Sequence, residues 1–273
     1  MGSVTPEPVT LLEAYDAQLR REAEVLTATD VTSDGPLVRA RFDWGGFVTY
    51  RDLDGLTGTT LDDLILRTVA YFRDETDLDE FEWKSRGHDA PADLREHLLA
   101  AGFTADPEET VMVGEASALA VPVDIPAEVM LRRLDPEAST FTEDVHRMTA
   151  MQLAAFGDGP SAASLIASLT QHERLTEAWI AEAEGDVVCA GRLEVVPGTD
   201  FAGLWGGATI EAWRGRGIYR ALVSARAQSA LDRGVRHLQS DCTPMSRPIL
   251  ERSGLSRVTT TTPFMWRRSP EVA

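Results

Sequence analysis

The stretch of this sequence best equipped for chemistry is TIEAWRGRGIYRALV, residues 209–223. A strand-like segment runs through Arg214-Gly215-Arg216-Gly217 into a helix whose apolar stripe is Ile218, Ala221, Leu222 and Ala225. Such a junction aims unpaired backbone N–H groups and the positive end of a helix dipole at one point, where an anion is stabilised. Gly215 and Gly217 allow a ligand close to the backbone, and Arg214, Arg216 and Arg220 add formal charge. A diphosphate suits this arrangement, whereas a ligand-free strand-to-helix turn has no need of three arginines. The P-loop pattern G-x-x-x-x-G-K-[ST] is absent. A dinucleotide fingerprint would place Gly or Ala at position 220, where Arg220 stands, inside a repeating βαβ pattern.

The loop needs a strand before it and a helix after it, and the flanking pattern supplies both. Ala178–Ala183, Val187–Val196 and Phe201–Ile210 read as three strands joined by Glu184-Gly185-Asp186 and Pro197-Gly198-Thr199-Asp200, an antiparallel meander. A helix over Gly217–Arg233, a strand over Val235–Asp241, a short helix over Ser246–Ser253 and a strand over Thr259–Trp266 complete this half. Upstream lie a strand over Val129–Leu134, a helix from Thr142 to Phe156 stopped by Gly157, and a helix from Gly159-Pro160 to about Leu175. A helix that leads from the meander into a parallel neighbour strand makes the sheet mixed.

The first half reads as helix (Leu11–Val25), strand (LVRARF, 37–42), strand (Phe47–Leu53), helix capped by Thr60, strand (Phe81–Arg86), helix (Pro91–Ala101) stopped by Gly102, and strand (Thr110–Val113). The segment SALAVPVDIP, residues 117–126, carries two prolines and no periodicity, which predicts a linker.

With 273 residues, 43% hydrophobic and 26% charged, the chain is long enough for two cores and ordinary in composition, excluding disorder and coiled coil. Residues 1–125 hold 26 acidic against 10 basic side chains, the rest 18 against 16, within a net charge of −18. An acidic surface repels nucleic acid backbones and anionic lipid, so neither is an expected partner. Two cysteines, Cys189 and Cys242, are too few for a disulfide framework or a four-cysteine metal site. The five histidines show no ligand spacing, and no metal is expected. With no apolar run long enough to span a membrane and no leader pattern, a cytoplasmic location is expected.

Arg214, Gly217 and Tyr219 fall on the defined positions of [Q/R]-x-x-G-x-[G/A], with Tyr219 where the pattern has a small residue. With the element order, Ala190-Gly191 and the closing RPILERSGL (247–255), the second half resembles the GNAT superfamily of acyl-CoA-dependent N-acyltransferases. The first half, through FEWKSRGHDAPADLREHLLAAGF (81–103), is similar to the N-terminal lobe of tandem GNAT proteins but lacks a phosphate loop. The resemblance implies an α/β (α+β) fold of two GNAT-like domains, each a mixed, mostly antiparallel sheet flanked by helices. Residues 1–122 would be a degenerate domain and 123–273 the acyl-CoA-binding catalytic one. It also implies an acetyl-CoA cosubstrate in the cleft where the meander's last strand and the next strand splay. There Ala208, Thr209 and Ile210 would pair with pantetheine, and the pyrophosphate would sit on Arg214, Gly215, Arg216, Gly217, Ile218, Tyr219 and Arg220. Ser246 would cap the last helix or hydrogen-bond the cosubstrate.

GNAT enzymes often use a Glu of the strand before the loop as base and a Tyr of the last helix as acid. Here residues 201–210 hold no carboxylate, and Leu250 stands at the tyrosine's place. The remaining candidates for catalysis are Glu194 and Asp241, then Glu211, each otherwise a solvated carboxylate; a neutral amine losing its proton to a water chain would need none of them. Tyr219 is a packing residue or an acid, and Cys242 a small buried thiol. The expected function is acetyl transfer from acetyl-CoA to a primary amine of a small molecule or peptide, with the acidic first half favouring a cationic acceptor and a homodimer possible. The alternatives are a non-enzymatic acyl-CoA-binding or regulatory module and a structural scaffold.

Overall fold

The computed structural model describes residues 10–157, 159–171 and 175–268, the Phe156 side chain excepted. The described chain packs as two units: 10–111 with 241–247 and 257–268, and 112–240 with 248–256. In the first, Thr10 and Glu13 exchange hydrogen bonds as a capping box for α1 (Leu11–Gln18), and a 3₁₀ turn follows at Arg21–Glu24. Then come β1 (Asp30–Asp34), β2 (Leu37–Phe42), β3 (Gly45–Thr49), α2 (Gly58–Asp74), β4 (Glu80–Arg86), α3 (Leu94–Ala100) and β5 (Thr104–Ala105).

Strands β1, β2 and β3 form an antiparallel meander, and β3 pairs parallel with β4. That parallel step requires a crossover, which α2 provides. Its stripe Leu61, Leu64, Ile65, Thr68, Val69 and Phe72 is buried, and the Phe72 ring stacks on Phe81 with centroids 4.2 Å apart. Gly46 makes this approach possible, because a Cβ there would stand 2.5 Å from the Phe72 ring. The expected cap residue is corrected: α2 begins at Gly58 with Thr57 as cap, and Thr60 turns its hydroxyl back to the Thr57 carbonyl at 2.8 Å. The polar sequence of β1 hid that strand from a periodicity reading.

The second unit takes up β6 (Glu109–Glu115) from Met112 onward, then α4 (Ala116–Leu119) and an irregular segment over 120–126. Next are β7 (Met130–Arg133), α5 (Phe141–Phe156), α6 (Ala162–Thr170), β8 (Thr176–Ala183), β9 (Asp186–Val195) and β10 (Phe201–Thr209). A 3₁₀ turn at Glu211–Trp213 precedes α7 (Ile218–Asp232), β11 (His237–Cys242), α8 (Arg247–Ser253) and β12 (Ser256–Arg267). Strands β7 to β10 pair antiparallel in sequence, and β10 pairs parallel with β11 across α7. Each unit is thus a mixed, mostly antiparallel sheet flanked by helices.

The closing strand β12 pairs antiparallel with β4, from Thr261↔Arg86 to Arg267↔Glu80, and its residues from 257 on belong to the first unit. Its Phe264 and Trp266 lie opposite Trp83 and Phe81, within the core of Leu61, Ile65, Phe72 and Phe103. Two large apolar side chains find their burial there.

Candidate functional site

The parallel ladder between β10 and β11 is short. It holds only Phe201↔His237, Ala202↔Leu238 and Gly203↔Gln239, after which Ser240 Oγ donates to the Leu204 carbonyl at 2.9 Å. Beyond that point β10 stays paired with β9 through Ala208↔Ala190 and Thr209↔Cys189. Its other edge therefore has no ladder partner over 205–209 and forms one wall of an opening within the sheet. A β-bulge between Trp205 and Ala208, with Gly206 at φ +58°, marks the start of this wall.

The chain then turns through Glu211–Trp213 into the arginine loop. Gly215 and Gly217 take left-handed conformations, φ +74° and +80°, and Gly217 is the N-cap of α7. A Cβ at Gly217 would also meet the Asp124 carbonyl at 3.1 Å. No side chain caps α7, so its first amides are left for a ligand or water. Arg214 braces the loop, its Nε donating to the Thr209 carbonyl at 3.0 Å, and Arg216 lies over the Trp213 ring at 4.5 Å. Arg214, Arg216 and Arg220 are exposed, and among the described residues no carboxylate pairs with any of them. Ile218 pins the helix head among Val129, Val188 and Leu222.

Beneath the loop, Tyr219 covers Gly207, where a Cβ would lie 2.7 Å from its hydroxyl. Arg226 of α7 is fully buried, its Nη1 donating to the Arg192 carbonyl at 2.8 Å, and burial holds its guanidinium below the ordinary value. Gly191 is needed because a Cβ there would stand 2.6 Å from that Nη1, which explains the Ala190-Gly191 pair. Burial pushes the neighbouring Cys189 thiol up to about 11, so it stays protonated at neutral pH and is no nucleophile.

The opposite face of the sheet, toward α5, carries a polar group that sequence reasoning missed. Gln152 is 3% exposed and donates from Nε2 to the Gly206 carbonyl at 2.5 Å. Arg192 stands beside it, its Nε donating to Glu194 Oε1 at 2.9 Å. No motif marks these residues; the sole signal was the outward-reading alternation of β9, which puts Arg192 and Glu194 on the same face as buried Ala190.

The other sequence candidates are scattered. Glu194 is partly exposed beside Arg192, and Glu211 lies exposed in the 3₁₀ turn. Asp241 belongs to the first unit, where its Oδ2 accepts from Lys84 Nζ at 3.0 Å within a buried cluster of Glu24, Arg86 and Tyr15. Burial opposes the Lys84 charge, but Asp241 and Glu24 outweigh it and raise that pKa, so Asp241 faces a permanent cation. Ser246 precedes α8, its amide bonded to the Thr243 carbonyl at 3.0 Å. Leu250 is buried at the position where a tyrosine acid was sought, and Cys242 is buried in the first unit. His172 lies outside the described residues.

A splayed strand pair, a bulge and an uncapped helix behind an arginine loop agree with the family comparison, in which residues 142–249 match the acetyltransferase (GNAT) family. Residues 142–249 are thus similar to the GNAT acetyltransferases. Its fold is similar to that of a GCN5-related N-acetyltransferase from Kribbella flavida, at 15% identity with 96% of each chain covered and a TM-score of 0.70. A GNAT-family putative acetyltransferase from Novosphingobium aromaticivorans has 17% identity, 88% and 92% coverage and a TM-score of 0.52. A tandem GNAT protein from the clavulanic acid biosynthesis pathway has 15% identity, 86% and 79% coverage and a TM-score of 0.57. No curated protein matches the sequence. The matched family is one of acetyltransferases, and no helix of the described residues is long and apolar enough to cross a membrane.

Proposed function

We propose that the second unit is an N-acetyltransferase that moves an acetyl group from acetyl-CoA to a primary amine in one direct step. The observation that carries this reading is the loss of β10–β11 pairing after Gly203 followed directly by the uncapped, arginine-flanked head of α7. Backbone of Ala208, Thr209 and Ile210 would align the pantetheine arm along the open edge. The N–H groups of Arg216, Gly217, Ile218, Tyr219 and Arg220 would hold the pyrophosphate, with Arg216 and Arg220 supplying charge and Arg214 and Gly215 shaping the loop. Bound there, acetyl-CoA supplies a thioester carbon at which a C–N bond forms as the C–S bond breaks, the thiolate taking up the proton that the amine gives away. Glu194, partly exposed on this face, would receive a proton, directly or through water.

The first unit would bind no CoA. Where α7 is preceded by arginines, α2 is preceded by Asp52 and Asp54, both exposed, which repel a diphosphate. It would then be a degenerate counterpart that frames the chain rather than a second transfer site.

Calorimetric titration of acetyl-CoA into the full chain tests the reading, with Arg216→Glu/Arg220→Glu as the variant, since neither side chain is buried. Binding that the variant loses, together with amine-dependent thiol release, is the expected result. The missing strand carboxylate and the buried Leu250 favour one competing reading, a non-enzymatic acyl-CoA sensor. It predicts the same binding with no thiol release for any amine.

A further inference from the structure

We propose that the acceptor is an amino carboxylate, a free α-amino acid in the simplest case, with its carboxylate read by Arg192 and its amine by Gln152. This rests on reading the bulge as the point of acetyl transfer.

Two side chains from different elements converge on one glycine of the bulge. A Cβ at Gly206 would stand 2.7 Å from Gln152 Nε2 and 3.2 Å from Arg192 Nη1. Gln152 spends its N–H on the Gly206 carbonyl, and its Oε1 is buried with no partner. Arg192 spends Nε on Glu194, and its Nη1 is likewise buried and unmet, in a side chain only 16% exposed. Buried polar atoms are ordinarily satisfied, so an unmet acceptor and an unmet cationic donor side by side mark a place built for a ligand.

The two needs are opposite in kind. Oε1 calls for an N–H, and Nη1 calls for an acceptor, best an anionic one. An α-amino acid carries both on one carbon. A polyamine would meet only Gln152 and would bring its charge against the guanidinium, so the cationic acceptor suggested by the acidic first half is disfavoured at the site. Glu194 fixes the guanidinium by its Nε edge and leaves the Nη end toward the bulge. Gln152 also lines a groove of about 270 Å³ with His146, Thr149, Ala150, Leu153 and Pro160. The reaction is balanced as above: the amine gains the acetyl carbon and loses a proton, which the departing thiolate takes.

The test is thiol release from acetyl-CoA with matched acceptors: alanine, leucine, methionine, phenylalanine and glutamate, each beside its carboxamide and its decarboxylated amine. At least one acid should exceed both of its counterparts tenfold or more in kcat/KM. Arg192→Met should reduce that preference at least tenfold by raising the acid's KM, and Arg192→Lys, which keeps the charge, should restore part of it. Equal or better turnover of the uncharged counterparts by wild type would overturn the inference, a result that needs no variant to fold. A preference unchanged in Arg192→Met would overturn it as well. Acetyl-CoA binding with none of the acids turned over would overturn this inference only, whereas no acetyl-CoA binding by calorimetry would overturn the transferase reading with it.

Discussion

The two units repeat one plan and differ at one connection. In each, an antiparallel meander leads through a loop and a crossover helix to a parallel strand, β3–α2–β4 in the first and β10–α7–β11 in the second. After β3 the chain reads YRDLDGLTGTT, residues 50–60, where the Asp54 amide bonds the Asp52 carboxylate at 2.9 Å and Thr60 closes onto Thr57. After β10 it reads IEAWRGRG, residues 210–217, with two left-handed glycines and no side-chain cap. The first helix head satisfies itself and presents carboxylates. The second leaves its amides open and presents arginines. Fold is shared, and on the proposed reading the difference in binding rests on about ten residues of loop chemistry.

The sharpest way to break this comparison is to exchange the charges. Arg216→Glu/Arg220→Glu should weaken acetyl-CoA binding by about 100-fold, as two charge-assisted contacts of roughly 1.5 kcal/mol each are lost and replaced by repulsion. Asp52→Arg/Asp54→Arg in the first unit should leave acetyl-CoA affinity unchanged, because Thr57 and Thr60 still close that helix. Calorimetry reads both. Equal losses from the two loops would show that the units do not differ in the way their connections suggest.

How much of this was legible in sequence follows the same division. The arginine loop, the meander and the crossover helices were readable because glycine, charge and periodicity act locally. The partner of β12 was not readable: Phe264 and Trp266 alternate as any half-buried strand would, and only packing against Phe81 and Trp83 decides their neighbour. Gln152 and Arg192 escaped notice because a buried carboxamide on a helix and an arginine on a strand have no spacing signature. Their significance comes from Gly206, more than ten residues away from either in sequence. Asp241 shows the converse, a carboxylate well placed by strand position that tertiary packing commits to Lys84.

Stability should also separate the units. Phe72→Ala removes the ring that Gly46 admits and that stacks on Phe81, and a cost of about 3–5 kcal/mol is expected from large-to-small substitution in a core. Denaturant unfolding measures it. The second unit instead carries a charge network, in which Arg132 donates to Asp144 at 2.8 Å and to Glu182 at 2.6 Å, and Arg147 donates to Asp144 and Glu182 at 3.1 and 2.8 Å. Burial works against both carboxylates, but the arginines outweigh it and hold both below the usual carboxylate range. A depressed carboxylate stabilises the fold above its unfolded pKa, about 4, and that stability is lost as pH falls through the lower folded value. Asp144→Asn should therefore destabilise the chain at pH 7 and flatten its acid limb below pH 4, read as melting temperature against pH.

The smallest effect expected has the opposite sign and lies in the first unit. His97, near the end of α3, places Nδ1 2.6 Å from Asp62 Oδ1 and Nε2 3.5 Å from Asp93, and the bond to Asp62 raises its pKa above the ordinary 6.5. A raised histidine contributes its full stability below the unfolded pKa and loses it as pH rises through the folded value. The position adds to this, because a cation in the last turn of a helix faces the negative end of its dipole. His97→Gln should cost stability at pH 6 and nothing at pH 9, while the wild-type ring titrates above 6.5 by NMR. A variant that loses the same stability at both pH values would make Asp62–His97 a neutral hydrogen bond. The charge contrast between the units would then lie in the helix-head loops alone.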